Sequence, residues 1–170
     1  MIRIGKLIGI CLLAHGVLAQ ANLPTKSFTI SGEVKTEIVY TIADVKKLPE
    51  VPIGTIIITN HLGEKKSEAK DLKGVPLKQV LEQVSITTES PKVLSEYYFV
   101  CKATDGYTVV FSWNEIFNTV VGESVFIITA KNGKKIDEMD DSILLLSPKD
   151  FKTGRRHVKS LTSIEVKRAK

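Results

Sequence analysis

The stretch Thr153-Gly-Arg-Arg-His-Val-Lys159 sets a glycine beside four potential cations, Arg155, Arg156, His157 and Lys159. Guanidinium forks match the paired oxygens of a phosphate or carboxylate, and glycine lets a backbone come close to a ligand. The chemistry this arrangement suits is anion binding. The surrounding segment strengthens the signal: Lys149 to Lys170 holds eight Lys or Arg against Asp150 and Glu165, a local net of +6. The plainer alternative is a solvated basic edge that keeps the chain soluble. Aromatics are not interleaved with these cations as they are in single-strand nucleic-acid binders, so nucleic acid is not an expected partner.

Other chemistries find little footing. The chain has no Gly-x-Gly-x-x-Gly, no Walker loop, no His-Glu-x-x-His and no cysteine pair spaced for zinc. No serine sits in a nucleophile elbow. The acidic cluster Asp137, Glu138, Asp140 and Asp141 lacks the alternating oxygen ligands and closing Glu of a calcium loop, and reads as a solvated turn after Lys134-Lys135. Cys101 lies in Tyr98-Phe-Val-Cys-Lys-Ala103, where large apolar neighbours predict a buried, inert thiol.

The N-terminus bears on where such a site works. Arg3 and Lys6 precede an apolar run from Leu7 to Ala19, 13 residues long, with small residues at Ala19 and Ala21. That pattern predicts a signal peptide over residues 1–21, cleaved after Ala19 or Ala21, and the run is too short to span a bilayer. The protein is therefore expected to be exported, to the periplasm or the extracellular space, with no membrane span after cleavage. Processing would leave 22 Lys and Arg against 19 Asp and Glu, and Cys101 as the remaining cysteine, so no intrachain disulfide is expected. Residues 22–170 are long enough to bury one core, and one domain is expected.

The elements that must position the basic loop are mostly strands. Phe28–Ile30, Thr36–Thr41 and a β-branched run at Thr55–Thr59 read as strands, the last of them buried. Thr41 with Asp44 forms a capping box for a short helix that Pro49 ends. His61 to Lys73 is a loop or an exposed strand pair. Pro76 opens a helix whose Leu77, Val80, Leu81 and Val84 make one apolar stripe, and Ser85 to Pro91 reads as a linker. Tyr97–Ala103 and Tyr107–Phe111 flank a turn at Asp105-Gly106, and Ser112 with Glu115 caps another short helix. Strands at Ser124–Ala130, Ile143–Leu146 and Ser163–Val166, with a turn at Asn132-Gly133, complete an α+β, β-rich mixed sheet with short helices.

Four of these features, in order, resemble the sulfite-oxidase-type molybdopterin-binding domain. They are Gly74-Val-Pro-Leu77 with its helix, Thr104-Asp-Gly-Tyr107 running to Glu115, the turn at Asn132-Gly133, and Gly154-Arg-Arg-His-Val-Lys159 followed by Leu161 and Ser163-Ile-Glu-Val166. The resemblance covers roughly residues 27 to 166. It implies that family's fold and gives Arg156, His157 and Lys159 a role in holding a pterin and its phosphate. It also implies that Asn60 and His61 face them from the earlier strand end.

The chain departs from the family at the metal. Family enzymes ligate molybdenum through a cysteine before the Gly-Val-x-Leu helix, where this chain reads Thr59-Asn-His-Leu-Gly63, and Cys101 falls on a different element. Met139-Asp-Asp-Ser142 stands where those enzymes carry a His-Gly and an Arg. The expectation is a catalytically silent module for a pterin-like or other anionic ligand, or for a partner protein. The alternative is a molybdopterin-dependent oxidoreductase in which Asn60 or solvent replaces the thiolate.

Overall fold

The computed structural model describes residues 23–169; the expected signal peptide lies outside them. Eleven strands are arranged in two sheets. The first runs β2 (Ile38–Thr41), β1 (Ser27–Gly32), β11 (Leu161–Arg168), β5 (Tyr97–Ala103), β6 (Thr108–Ser112). The second runs β10 (His157–Val158), β9 (Leu144–Leu146), β7 (Phe126–Lys131), β4 (Lys65–Pro76), β3 (Val51–Thr59), with the two-residue β8 (Lys134–Lys135) paired to β7. Only β1 and β11 pair in parallel, Thr29 opposite Ser163. The architecture is a sheet-dominated α+β fold.

Helices are single turns set at strand ends. α1 (Ile42–Val45) follows β2, and Thr41 Oγ1 accepts the Asp44 amide at 3.2 Å while Asp44 returns a bond to the Thr41 amide. α3 (Trp113–Phe117) repeats the device with Ser112 and Glu115. α2 (Leu77–Leu81) follows Pro76 without a side-chain cap, and buries Leu77, Val80 and Leu81 while Val84 packs against the core's edge. At Asn132-Gly133 both φ angles are positive, 53° and 78°, which joins β7 to β8 in a tight hairpin.

Both sheets feed one hydrophobic cluster. Leu144, Leu145 and Leu146 of β9 are all fully buried, because the strand is covered on both faces. β3 behaves otherwise. Its β-branched run predicts burial, yet only Ile58 is buried and Ile57 is half exposed. The strand is the edge of its sheet and pairs with β4 alone among the described strands. The polar segment after it extends β4 back along β3 as an exposed strand pair, Ile57 opposite Glu68.

Cys101 sits in the middle of β5 between β11 and β6, fully buried, and burial pushes its thiol up to about 12. A thiol-specific reagent should therefore label the native protein at least a hundredfold more slowly than the protein unfolded in denaturant. Equal rates, followed by absorbance of the released chromophore, would contradict this placement.

Candidate functional site

The loop from Ser147 to Lys159 leaves strand β9 and returns to it as β10, with His157 opposite Leu146. Its course is fixed by polar contacts at three points. Thr153 Oγ1 accepts the Thr59 amide at 3.0 Å and donates to the Ile57 carbonyl at 2.9 Å. Gly154 lies directly against the Thr59 carbonyl, where a Cβ would collide with it. The sequence suggested that this glycine admits a ligand; what it admits is the end of β3. Arg156 supplies the third anchor.

Arg156 does not face solvent. Its Nε donates to Asp150 Oδ2 at 2.6 Å and its Nη2 to Asp150 Oδ1 at 2.5 Å, a two-pronged fork. Nη1 reaches Glu115 Oε1 at 3.1 Å, and the guanidinium lies 4.6 Å from the centre of the Phe111 ring. Three of its donors thus go to protein carboxylates, and the group stacks on β6.

Arg155, one residue earlier, turns the other way. Its Nη2 donates to the His61 carbonyl at 3.3 Å, while the Tyr107 hydroxyl donates to the Arg155 carbonyl at 2.7 Å. These bonds draw together the β3–β4 turn of one sheet and the β5–β6 turn of the other. Between them lies an open concavity of about 590 Å³, lined by His61, Asp105, Tyr107, Thr108, Gly154, Arg155, His157 and Lys159. Of the residues singled out from the sequence, His61, His157 and Lys159 meet here. Arg156 and Asn60 are not in its lining. The Asn60 side chain closes its own turn, accepting from the Leu62 and Glu64 amides and donating to Glu64 Oε2 at 2.7 Å.

Behind the concavity sits a charged triad. Asp141 is buried and pairs with both Lys159, at 2.9 Å, and Lys131. The sequence suggested a solvated acidic turn here, which holds for Asp140 but not for Asp141: the chain tucks Asp141 under Ser160, whose amide donates to the Asp141 carbonyl. Burial, with Lys159 nearby, lowers the Lys131 pKa from its ordinary value. His157 is mostly buried beside these lysines, and its Nε2 has no hydrogen-bond partner among the described residues. Burial first, then Lys159 and Lys131, push its pKa down to about 4, so the imidazole is neutral at physiological pH. A neutral ring can still donate one hydrogen bond.

Among the described residues no group of three or more His, Cys, Asp or Glu side chains could hold a metal ion, and no helix is long and apolar enough to cross a membrane.

No protein-family model matches the chain, and no curated protein matches it. Among solved structures it is similar to the sulfane dehydrogenase SoxCD from Paracoccus pantotrophus, with a TM-score of 0.63 at 16% identity. The match covers 86% of this chain and 40% of that one, so the chain spans well under half the length of its structural neighbour. At that identity the likeness shows the fold alone, a sheet-dominated α+β fold shared with part of that chain.

Two outcomes follow from this geometry. Arg156→Ala leaves Asp150 and Glu115 without their cation and frees the loop, and should lower stability by about 2 kcal/mol in chemical denaturation, discounted for partial exposure. His157 makes stability fall with acid: between roughly pH 6.5 and 4 the unfolded chain takes up a proton that the folded chain refuses. Relative to His157→Gln, the wild type should lose on the order of 2 kcal/mol on going from pH 7 to pH 4, read from urea unfolding at each pH.

Proposed function

We propose that the protein is an exported, catalytically silent binding module that holds a phosphate-like anion, such as the phosphate of a pterin, in the concavity walled by His61, Arg155, His157 and Lys159. The observation that carries the reading is the convergence of Arg155, His157 and Lys159 on one open recess, with the buried Nε2 of His157 left without a partner just behind its wall. Arg155 spends one donor on a backbone carbonyl and keeps the rest of its fork. Lys159 is half exposed and shares Asp141 with Lys131, so it can turn toward a ligand while Asp141 stays neutralised. A neutral His157 can donate through Nε2–H without the cost of a third buried charge.

The sequence resemblance to the sulfite-oxidase-type molybdopterin-binding domain supports a pterin-type ligand as one member of this class, and the likeness in fold to part of a sulfane dehydrogenase is consistent with it. A molybdenum centre fits these residues poorly. The thiolate that the resembled family places before α2 has no counterpart, since Cys101 is in the core with its thiol protonated. Asn60, the residue at the corresponding turn, spends its side chain on closing that turn. Arg156, which the resemblance would aim at a cofactor, is taken by Asp150 and Glu115. The silent module is therefore favoured over a molybdopterin-dependent oxidoreductase. In this reading residues 1–21 direct export, and the module works in the periplasm or outside the cell.

Inorganic phosphate titrated into the protein, followed by amide shifts in NMR, should perturb His61, Arg155 and His157 together. Each charge-assisted bond contributes about 1.5–3 kcal/mol, so Arg155→Ala should weaken binding by roughly tenfold or more and leave the thermal midpoint nearly unchanged, while adding Lys159→Ala should weaken it further and lower the midpoint, because the buried Asp141 loses one of its two cations. Equal phosphate affinity in wild type and double variant would reduce the recess to a solvated basic edge.

A further inference from the structure

Next to the concavity, the same loops display apolar side chains that the fold does not use. Phe151 is fully exposed, although it follows Asp150, whose carboxylate is gripped by Arg156 and by the Ser147 hydroxyl at 2.8 Å. Two residues later Thr153 is tied to β3. An aromatic ring held out by a loop pinned on both sides loses little backbone freedom when something covers it.

Leu62, at the tip of the β3–β4 turn, is also exposed, and its turn is closed by Asn60. The two apolar residues belong to adjoining loops. Lys152 runs beside Gly63, its Cε 3.6 Å from where a Cβ at that position would stand, and Arg155 bonds the His61 carbonyl.

The charge around them is mainly positive: Asp150 is taken up by Arg156, which leaves Glu64 in the Leu62 turn as the acidic exception. Of the basic residues in the C-terminal segment, Arg156, Lys159, Lys167 and Arg168 are each paired with carboxylates. Lys149, Lys152 and Arg155 make no ion pair among the described residues, and all three lie within four positions of Phe151 in the chain. An exposed aromatic anchor with unpaired cations close to it in the chain is complementary to an acidic segment with a large apolar side chain.

We propose that Phe151 and Leu62, framed by Lys149, Lys152 and Arg155, form a docking surface for an acidic protein segment bearing a large apolar residue. The surface adjoins the anion-binding concavity and does not depend on it: an acidic partner would be held by Phe151 and Leu62 even if the recess bound no phosphate. Apolar contact supplies the affinity of such a surface, and the cations supply orientation and a salt-dependent association rate.

The test uses a synthetic dodecapeptide of alternating Glu and Leu, blocked at both ends, beside a control in which every Leu is Ser. Titrated into the labelled protein at low salt, the Leu peptide should shift the amides of Leu62, Phe151 and Lys152 and bind at least tenfold more tightly than the Ser peptide. Phe151→Ser combined with Leu62→Ser should remove that tenfold advantage while phosphate affinity stays as in wild type, which separates this proposal from the anion-binding reading. Equal binding of the two peptides, or unchanged binding by the double variant, would overturn it. Self-association in sedimentation that the double variant abolishes would assign the surface to a second copy of the chain. Binding of phosphatidylglycerol vesicles without binding of the Leu peptide would assign it to a lipid surface. Either result overturns the proposal as stated.

Discussion

The guanidinium of Arg156 is held on three sides, by the Asp150 fork, by Glu115 and by the face of Phe111, and the basic loop takes its shape from that grip. Asp150 belongs to the loop itself, which springs from β9 in the second sheet. Glu115 and Phe111 belong to α3 and β6, at the edge of the first. One side chain therefore ties together the ends of the two sheets. Planar forked donors suit this task because they fix direction as well as distance. Glu115 serves twice, since its other oxygen caps the Ser112 amide at the start of α3. The capping box and the loop anchor are parts of one network, and a change at Glu115 would be felt in both.

The loop passes through a single 3-10 turn over Thr153–Arg156, and Arg155 and Arg156 leave that turn on different sides. Arg155 reaches the β3–β4 turn, and the Tyr107 hydroxyl closes on its carbonyl from the β5–β6 turn. The concavity is thus assembled from three loops that are distant in the chain, with the basic loop hydrogen-bonded to each of the other two. Anion recognition benefits from such preorganisation, because donors already in place need not be ordered when the ligand arrives.

Beneath the recess, the electrostatics are set by burial. Asp141 carries the charge that allows Lys131 and Lys159 to sit close together, and burial first, then the two lysines, keep His157 neutral. A bound anion would add negative charge to this group and raise the proton affinity of His157, so ligand binding and proton uptake are linked by the same geometry.

Much of the local structure was determined by the sequence itself. Thr41 with Asp44 and Ser112 with Glu115 marked two helix starts, and Asn132-Gly133 marked a hairpin, because each is a contest between neighbouring groups that tertiary packing does not reverse. Gathering cations near the C-terminus was also legible, and so was the burial of Cys101 among large apolar residues. What each cation does was decided only by the tertiary structure. Arg155 and Arg156 are adjacent and chemically identical, yet one lines the recess and the other is bound to carboxylates 6 and 41 residues away in the chain. Asp141 lies in a run that reads as solvated, and becomes buried because two distant lysines neutralise it. Gly154 reads as a ligand contact and proves to be a contact with β3. The run Thr55–Thr59 has the composition of a covered strand and forms an edge, since composition reports the pleat a residue favours and not what lies against its other face. Partner choice among charges, and cover over a strand, are long-range outcomes, and no local pattern encodes them.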